Sequence, residues 1–168
     1  MHRLLIVVLG ISLTRIATAQ TVPANVQSVE IVEYGIYQIV HTGEHIPLKL
    51  TAAGAIEPAA HVQLATTTNR VPAVVGTTFG CLFVLHGEPA NARVTLDVVV
   101  EHPPFEKAPG QKTGTVDKIP WPYVIGRKAG YTYTFDNDWE AVPGTWSIQV
   151  WYHGRKFAEQ KFVVEPKK

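Results

Sequence analysis

Along most of the chain, apolar and polar residues alternate with a period of two, the spacing that puts every second side chain on one face of a strand. Ser28-Val29-Glu30-Ile31-Val32-Glu33 alternates, and extended chain continues through Tyr34-Gly35-Ile36-Tyr37-Gln38-Ile39-Val40. Gly35 interrupts this run and marks a candidate bulge. Residues 41–47 read as a turn, Leu48-Lys49-Leu50 as a return to extended chain, and residues 54–58 as a loop. Residues 61–66 alternate again. Residues 77–86 are almost wholly apolar, which predicts a central strand covered on both faces. A turn at 87–91 leads to residues 93–101, rich in Val and Thr, with Asp97 expected to be exposed at the middle. Pro103-Pro104 ends that strand, because proline cannot donate to a ladder.

Residues 103–130 read as the longest irregular stretch, with Pro103, Pro104, Pro109, Pro120 and Pro122 among its residues. Long loops in compact domains are often functional. After it the alternation returns. Tyr131, Tyr133 and Phe135 share one face, a turn-rich segment covers 136–144, and Trp146, Ile148, Val150 and Tyr152 share the inward face of the next strand. Trp151 has the opposite parity and falls on the other face. His153-Gly154 is a two-residue hairpin turn, since glycine tolerates the positive φ that such turns demand. Residues 155–165 form the returning strand. No stretch carries a helical stripe, so the reading is all-β: an antiparallel sandwich of seven to nine strands.

The N-terminus departs from this pattern. His2 and Arg3 precede an apolar run, Leu4 to Leu13, and Ala17-Thr18-Ala19 supplies the small residues that a signal peptidase accepts. The run is about half the roughly 20 residues a membrane span needs. Residues 1–19 are thus expected to be a signal peptide, and residues 20–168 a single β-sandwich domain with no transmembrane segment, in the periplasm or secreted. With 15 Lys and Arg against 14 Asp and Glu, the chain has no long-range field to draw in nucleic acid. The lone cysteine, Cys81, cannot form an internal disulfide. It lies in Phe79-Gly80-Cys81-Leu82-Phe83, which predicts a small buried hydrophobe.

Three segments carry a resemblance. Pro143-Gly144-Thr145-Trp146-Ser147-Ile148-Gln149-Val150-Trp151, with the following turn and Lys161-Phe162-Val163-Val164, is similar to the closing hairpin of immunoglobulin-like bacterial domains. Together with Val29-Glu30-Ile31-Val32-Glu33-Tyr34-Gly35-Ile36-Tyr37 and Phe135-Asp136-Asn137-Asp138-Trp139-Glu140, it resembles a family of exported bacterial proteins of unknown function. That resemblance implies an immunoglobulin-like fold and an exported location. It implies no activity.

Candidate chemistry is sparse. There is no nucleophile elbow, no zinc-protease helix motif and no phosphate-cradling glycine loop, so no enzyme and no cofactor is expected. His41 and His45 span a turn rather than a helix face, which argues against a metal pair. Asp136, Asp138 and Glu140 alternate along a loop and could wrap a hard cation, but the spacing of a calcium loop is missing. Aromatics remain. Trp121, Tyr123, Trp139 and Trp151 are the candidate binding residues, Trp121 being held stiff and exposed between two prolines. Rigid exposed aromatics serve protein interfaces and stack on sugars. The sequence thus predicts a non-catalytic binding module for an envelope protein or, alternatively, a polysaccharide, with periplasmic metal carriage as a remote third. Exported protein should begin at Gln20 by N-terminal mass analysis; a retained Met1 would contradict the signal peptide.

Overall fold

A computed structural model describes residues 23–52, 54–108 and 110–167; the signal-peptide reading lies outside them. The described chain is built from strands and connecting turns, in the order β1 (Asn25–His41), β2 (Ile46–Pro47), β3 (Ala55–Ile56), β4 (Ala59–Thr66), β5 (Arg70–Pro72), β6 (Thr78–Glu88), β7 (Arg93–Glu101), β8 (Val116–Val124), β9 (Lys128–Thr134), β10 (Gly144–Tyr152) and β11 (Arg155–Glu165). One sheet runs β4-β1-β6-β9 and the other β5-β11-β10-β7-β8, with β2-β3 a separate small hairpin. Every pairing is antiparallel except that of β5 with β11.

The alternation read from the sequence places the core. Phe79, Cys81, Phe83 and Leu85 of β6 meet Leu96, Val98 and Val100 of β7, Trp146, Ile148 and Val150 of β10, and Phe162 of β11, all at zero exposure. Aromatic edges set the inter-sheet contact: the Phe79 ring lies 5.0 Å from Phe162 and 5.5 Å from Trp146, both edge-on. Such tilted and T-shaped pairs are the arrangement the ring quadrupoles favour. The β10–β11 hairpin turns at His153-Gly154 with positive φ at both residues, 48° and 75°. In β1, Gly35 stands at φ 151°, where any Cβ would collide with the Thr66 carbonyl oxygen. The register against β4 slips one residue later, between Ile36 and Tyr37. Gly35 thus does mark an irregularity, and its reason is close strand approach.

Four expectations need correction. Residues 103–130 are not one loop: irregular chain ends near 115, and β8, the turn at 125–127 and the start of β9 occupy the rest. The prolines of β8 are accommodated because β8 is the sheet edge. Lys118 N donates to Leu50 O at 2.9 Å, away from β7, so that residue's parity faces outward. Pro120 and Pro122 share it, and their missing N–H groups cost β8 no bond to β7. Leu48-Lys49-Leu50 is not a strand but the start of the turn between β2 and β3, with Leu50 held by that same bond. β6 is central, yet its outer row is covered only in part: Thr78 and Gly80 are buried, Leu82 and Val84 half-exposed, and His86 exposed. Asp97 is half-buried, its carboxylate 2.9 Å from Lys118 Nζ.

Burial without a cationic neighbour pushes the Cys81 thiol up to about 12. At pH 8 its thiolate fraction is then roughly a thousandfold below that of an ordinary thiol. A thiol reagent should label Cys81 only after denaturation. Rapid stoichiometric labelling of native protein would contradict both its burial and the β6 register.

Candidate functional site

β8 and β9 follow one another in the chain but belong to different sheets, β8 at the edge of one and β9 at the edge of the other. The chain crosses between the sheets at the short turn after Val124, where Ile125 is buried and Gly126 takes φ 83°. The sandwich is left unclosed along this side. A cavity of about 390 Å³ lies there, walled by the inward row of β8, by β9, and by the β2–β3 hairpin.

Each wall has a local cause. Alternation in β8 sends Asp117, Ile119, Trp121 and Tyr123 inward together. Tyr123 is buried, its ring 5.3 Å from Phe83 and its hydroxyl donating to Gly130 O at 3.4 Å. On β9, Tyr133 is 7% exposed, with its ring 5.1 Å from Trp146. The residue lines the cavity. The hairpin is tied down by Ala52: its N–H donates to Asp117 Oδ1 at 2.5 Å, and its carbonyl accepts from Lys107 Nζ at 2.5 Å.

The carboxylates are the less expected part. Asp117, Asp136 and Glu140 all line the cavity, as does Glu57. Asp117 is 2% exposed and Glu140 1%. Glu140 folds back on its own turn, accepting from Asp136 N at 2.8 Å, Asn137 N at 3.2 Å and Asn137 Nδ2 at 3.3 Å. Desolvation nevertheless holds its carboxyl above the ordinary value, against the opposing pull of those donors. The Tyr133 phenol is also raised, by burial first and then by Glu140 and Asp117, and that of Tyr131 by burial and then Asp117. Behind Asp117 lies His102, wholly buried, its ring stacked on Phe105 at 4.1 Å. His102 Nδ1 donates to Pro103 O at 2.7 Å, since a carbonyl can only accept. Nε2 stays unbonded, 3.7 Å from Asp117 Oδ1.

The four aromatics read from the sequence separate into three places. Trp121 and Tyr123 do project from one side of an extended chain, but that side is the interior wall of the cavity. Trp121 is half-buried and Tyr123 buried, so the stiff exposed tip is not what β8 presents. Trp139 packs edge-on against Phe105 at 5.6 Å, with Lys107 Nζ 4.6 Å from its ring centre, and does not line the cavity. Trp151 lies on the outer face, where its Nε1 donates to Gln149 Oε1 at 2.8 Å beside a shallow groove with Asp97 and Lys118. Asp117, Tyr131, Tyr133 and Glu140 went unnoticed as cavity residues. Reading 116–124 as a strand would have exposed the inward row of which Asp117 is part.

The cation loop read into 136–140 does not form one: Glu140 spends both oxygens on its own turn, and no metal-binding group of three donors occurs among the described residues. His45, His61, His86 and His153 are exposed at separate positions, while His102 is buried.

The chain belongs to a family described as a domain of unknown function (DUF3859), whose model matches residues 25–164. An immunoglobulin-like protein from Pseudomonas aeruginosa has a similar structure, with a TM-score of 0.55 and 23% identity over 83% of this chain and 98% of that chain. This likeness shows the immunoglobulin-like fold. No curated protein matches the sequence.

Glu140→Ala should cost about 1–2 kcal/mol in chemical denaturation, since it removes the buried carboxylate that accepts from Asp136 N and Asn137 N and fixes the turn. Glu140→Gln tests the electrostatics. A carboxyl raised in the folded state binds its proton more tightly there, so stability falls as pH rises through its titration. Wild type should therefore lose ground to Glu140→Gln as pH climbs above 4.5, the ordinary value. A gap that widens in favour of wild type would contradict the raised carboxyl.

Proposed function

We propose that this chain is a non-catalytic, exported binding module whose recognition site is the cavity between β8 and β9. The observation that carries the reading is the cavity's size and wall. Ligand sites commonly enclose about 300–1,000 Å³, with aromatic surface and a few convergent polar groups. Here Trp121, Tyr123 and Tyr133 supply the surface, and Asp117 and the Tyr133 hydroxyl supply the polar groups. The immunoglobulin-like fold brings no chemistry of its own, since sandwiches host many functions. The export reading rests on the apolar N-terminal run and the Ala17-Thr18-Ala19 site, and places the ligand in the envelope.

A polysaccharide platform fits less well. Sugar stacking uses a flat exposed ring, and Trp121 is a half-buried wall. A cavity selects a compact ligand or a single projecting side chain rather than a polymer surface.

A fragment library screened by amide chemical shifts checks this. Hits should cluster on residues 117–123 and 129–134. Hits confined to other surfaces, or the absence of any shift at those amides, would contradict the cavity as the site.

A further inference from the structure

Neighbouring residues of a strand point to opposite faces of its sheet. A cavity that lies against one face is therefore lined by every second residue. Here consecutive residues of β9, from Ala129 through Thr134, all line the cavity. The cavity thus runs along the edge of β9, where the backbone itself is the wall. β9 pairs only with β6, so this edge carries the strand's remaining N–H and C=O groups.

The register says which groups these are. In an antiparallel pair, alternate residues direct both N–H and C=O to the same neighbour. Phe135 N donates to Thr77 O at 3.1 Å, one position beyond the Thr134–Thr78 pairing, which puts the odd-numbered residues of β9 on β6. Gly130, Thr132 and Thr134 then face the cavity. The Tyr123 hydroxyl agrees with this parity, since it reaches Gly130 O from the β8 side. Among the described residues, nothing bonds the Gly130 N–H or the backbone groups of Thr132 and Thr134 on that side. Half-buried backbone groups call for partners, and the partner that matches their spacing is another extended backbone.

The two edges that face the gap are guarded differently. β8 carries Pro120 and Pro122 in its outward row and gives its Lys118 N–H to Leu50 O. Residues 129–134 contain neither proline nor charge, and their Tyr and Thr favour extended chain. An edge without such guards is a template for a further strand. Its setting selects the guest. Ile119 and Trp121 of β8 stand on one side of the gap, and Thr51 and Ile56 of the hairpin on the other. A single extended segment can enter there, where the edge of another folded sheet cannot follow.

We infer that β9 takes an extended segment of a partner protein as an added strand, with alternate side chains of the segment entering the cavity beside Trp121 and Tyr131. This rests on the cavity being the binding site and names the class of partner. Side chains opposite one another across a ladder share a face and pack together. Inward positions of the guest meet Ile119, Trp121 and Tyr131, which favours Val or Ile; outward positions meet Thr132 and Thr134, which favours Thr. Pro120 and Pro122 have no N–H to return the pairing, so the guest joins one edge and does not bridge the gap.

The test follows hydrogen exchange and amide shifts of the purified protein with acetyl-Ser-Thr-Val-Thr-Val-Thr-Ser-amide. Binding should slow exchange at the Gly130, Thr132 and Thr134 amides at least tenfold. Tyr131 and Tyr133, already bonded to β6, should not change. Two versions of the peptide, N-methylated at the threonines or at the valines, keep every side chain. One should bind at least tenfold more weakly and the other within threefold, because only alternate N–H groups face β9. Equal behaviour of the two would overturn strand pairing. Thr132→Pro removes one outward N–H by the change that β8 already accommodates, and leaves the β6 ladder intact. It should weaken the peptide at least tenfold and leave cavity fragments bound. Unchanged affinity would overturn the proposal; if the variant does not fold, the methylated peptides decide. Protection along β4 instead of β9, or a free protein already paired to a second copy through β9, would also overturn it. Fragments seated in the cavity while the peptide leaves 128–134 unmoved would overturn strand addition and keep the cavity as the site. Silence of those amides toward every fragment and peptide would overturn both.

Discussion

Trp146 is fully buried at the point where both sheets and the closing loops meet. Its ring touches Phe79 of β6, Tyr133 of β9 and Phe135 just beyond, and Phe105 and His102 from the segment after β7. Its indole N–H donates to Val142 O at 3.1 Å, so its single polar atom is satisfied in the turn that feeds β10. One side chain thus fixes the spacing between sheets, the path of residues 136–143 and the placement of Tyr133. Losing so large a buried ring would leave a void that neighbouring rings cannot collapse to fill. Because Tyr133 leans on it, the wall of the candidate site is anchored in the core.

The open side of the sandwich has a different origin. An edge strand normally offers a row of unpaired N–H groups to whatever extended chain comes near. In β8 that row begins with Lys118, which bonds Leu50, and then loses its donors at Pro120 and Pro122. The β2–β3 segment bonds the β8 backbone only at Lys118, with Ala52 N–H held by the Asp117 side chain, and cannot zip further along. Meanwhile the chain crosses to the other sheet at 125–127 to begin β9. The gap between two edges belonging to different sheets is the cavity, and the prolines keep it from being closed by another strand.

Strong period-two signals were legible in the sequence, and their tertiary setting was not. The β10–β11 hairpin was readable residue by residue, because Trp146, Ile148 and Val150 alternate cleanly and His153-Gly154 supplies the positive φ angles. β8 was hidden because proline breaks a strand everywhere but at an edge, and being an edge is a property of the sheet, not of the segment. The shared side of Trp121 and Tyr123 was visible, but not that this side faced inward. The burial of Asp117 and Glu140 escaped notice because a carboxylate is by default a surface residue. Their burial follows from partners distant in sequence or folded in a turn: Ala52 N for one and the 136–137 backbone for the other. The outer face of β10 gave a similar surprise. Ser147 and Gln149 are buried there in a polar chain that runs from Glu101 through Ser147 and Gln149 to Glu159 and Trp151.

The central claim is that the cavity bounded by Trp121, Tyr133 and Asp117 is the binding site. A crystal structure of the protein soaked with a mixture of small fragments tests it most directly. The account predicts density for a fragment inside that cavity, against the Trp121 and Tyr133 rings. An empty cavity with fragments seated only elsewhere, such as beside Trp151 on the outer face, would contradict it.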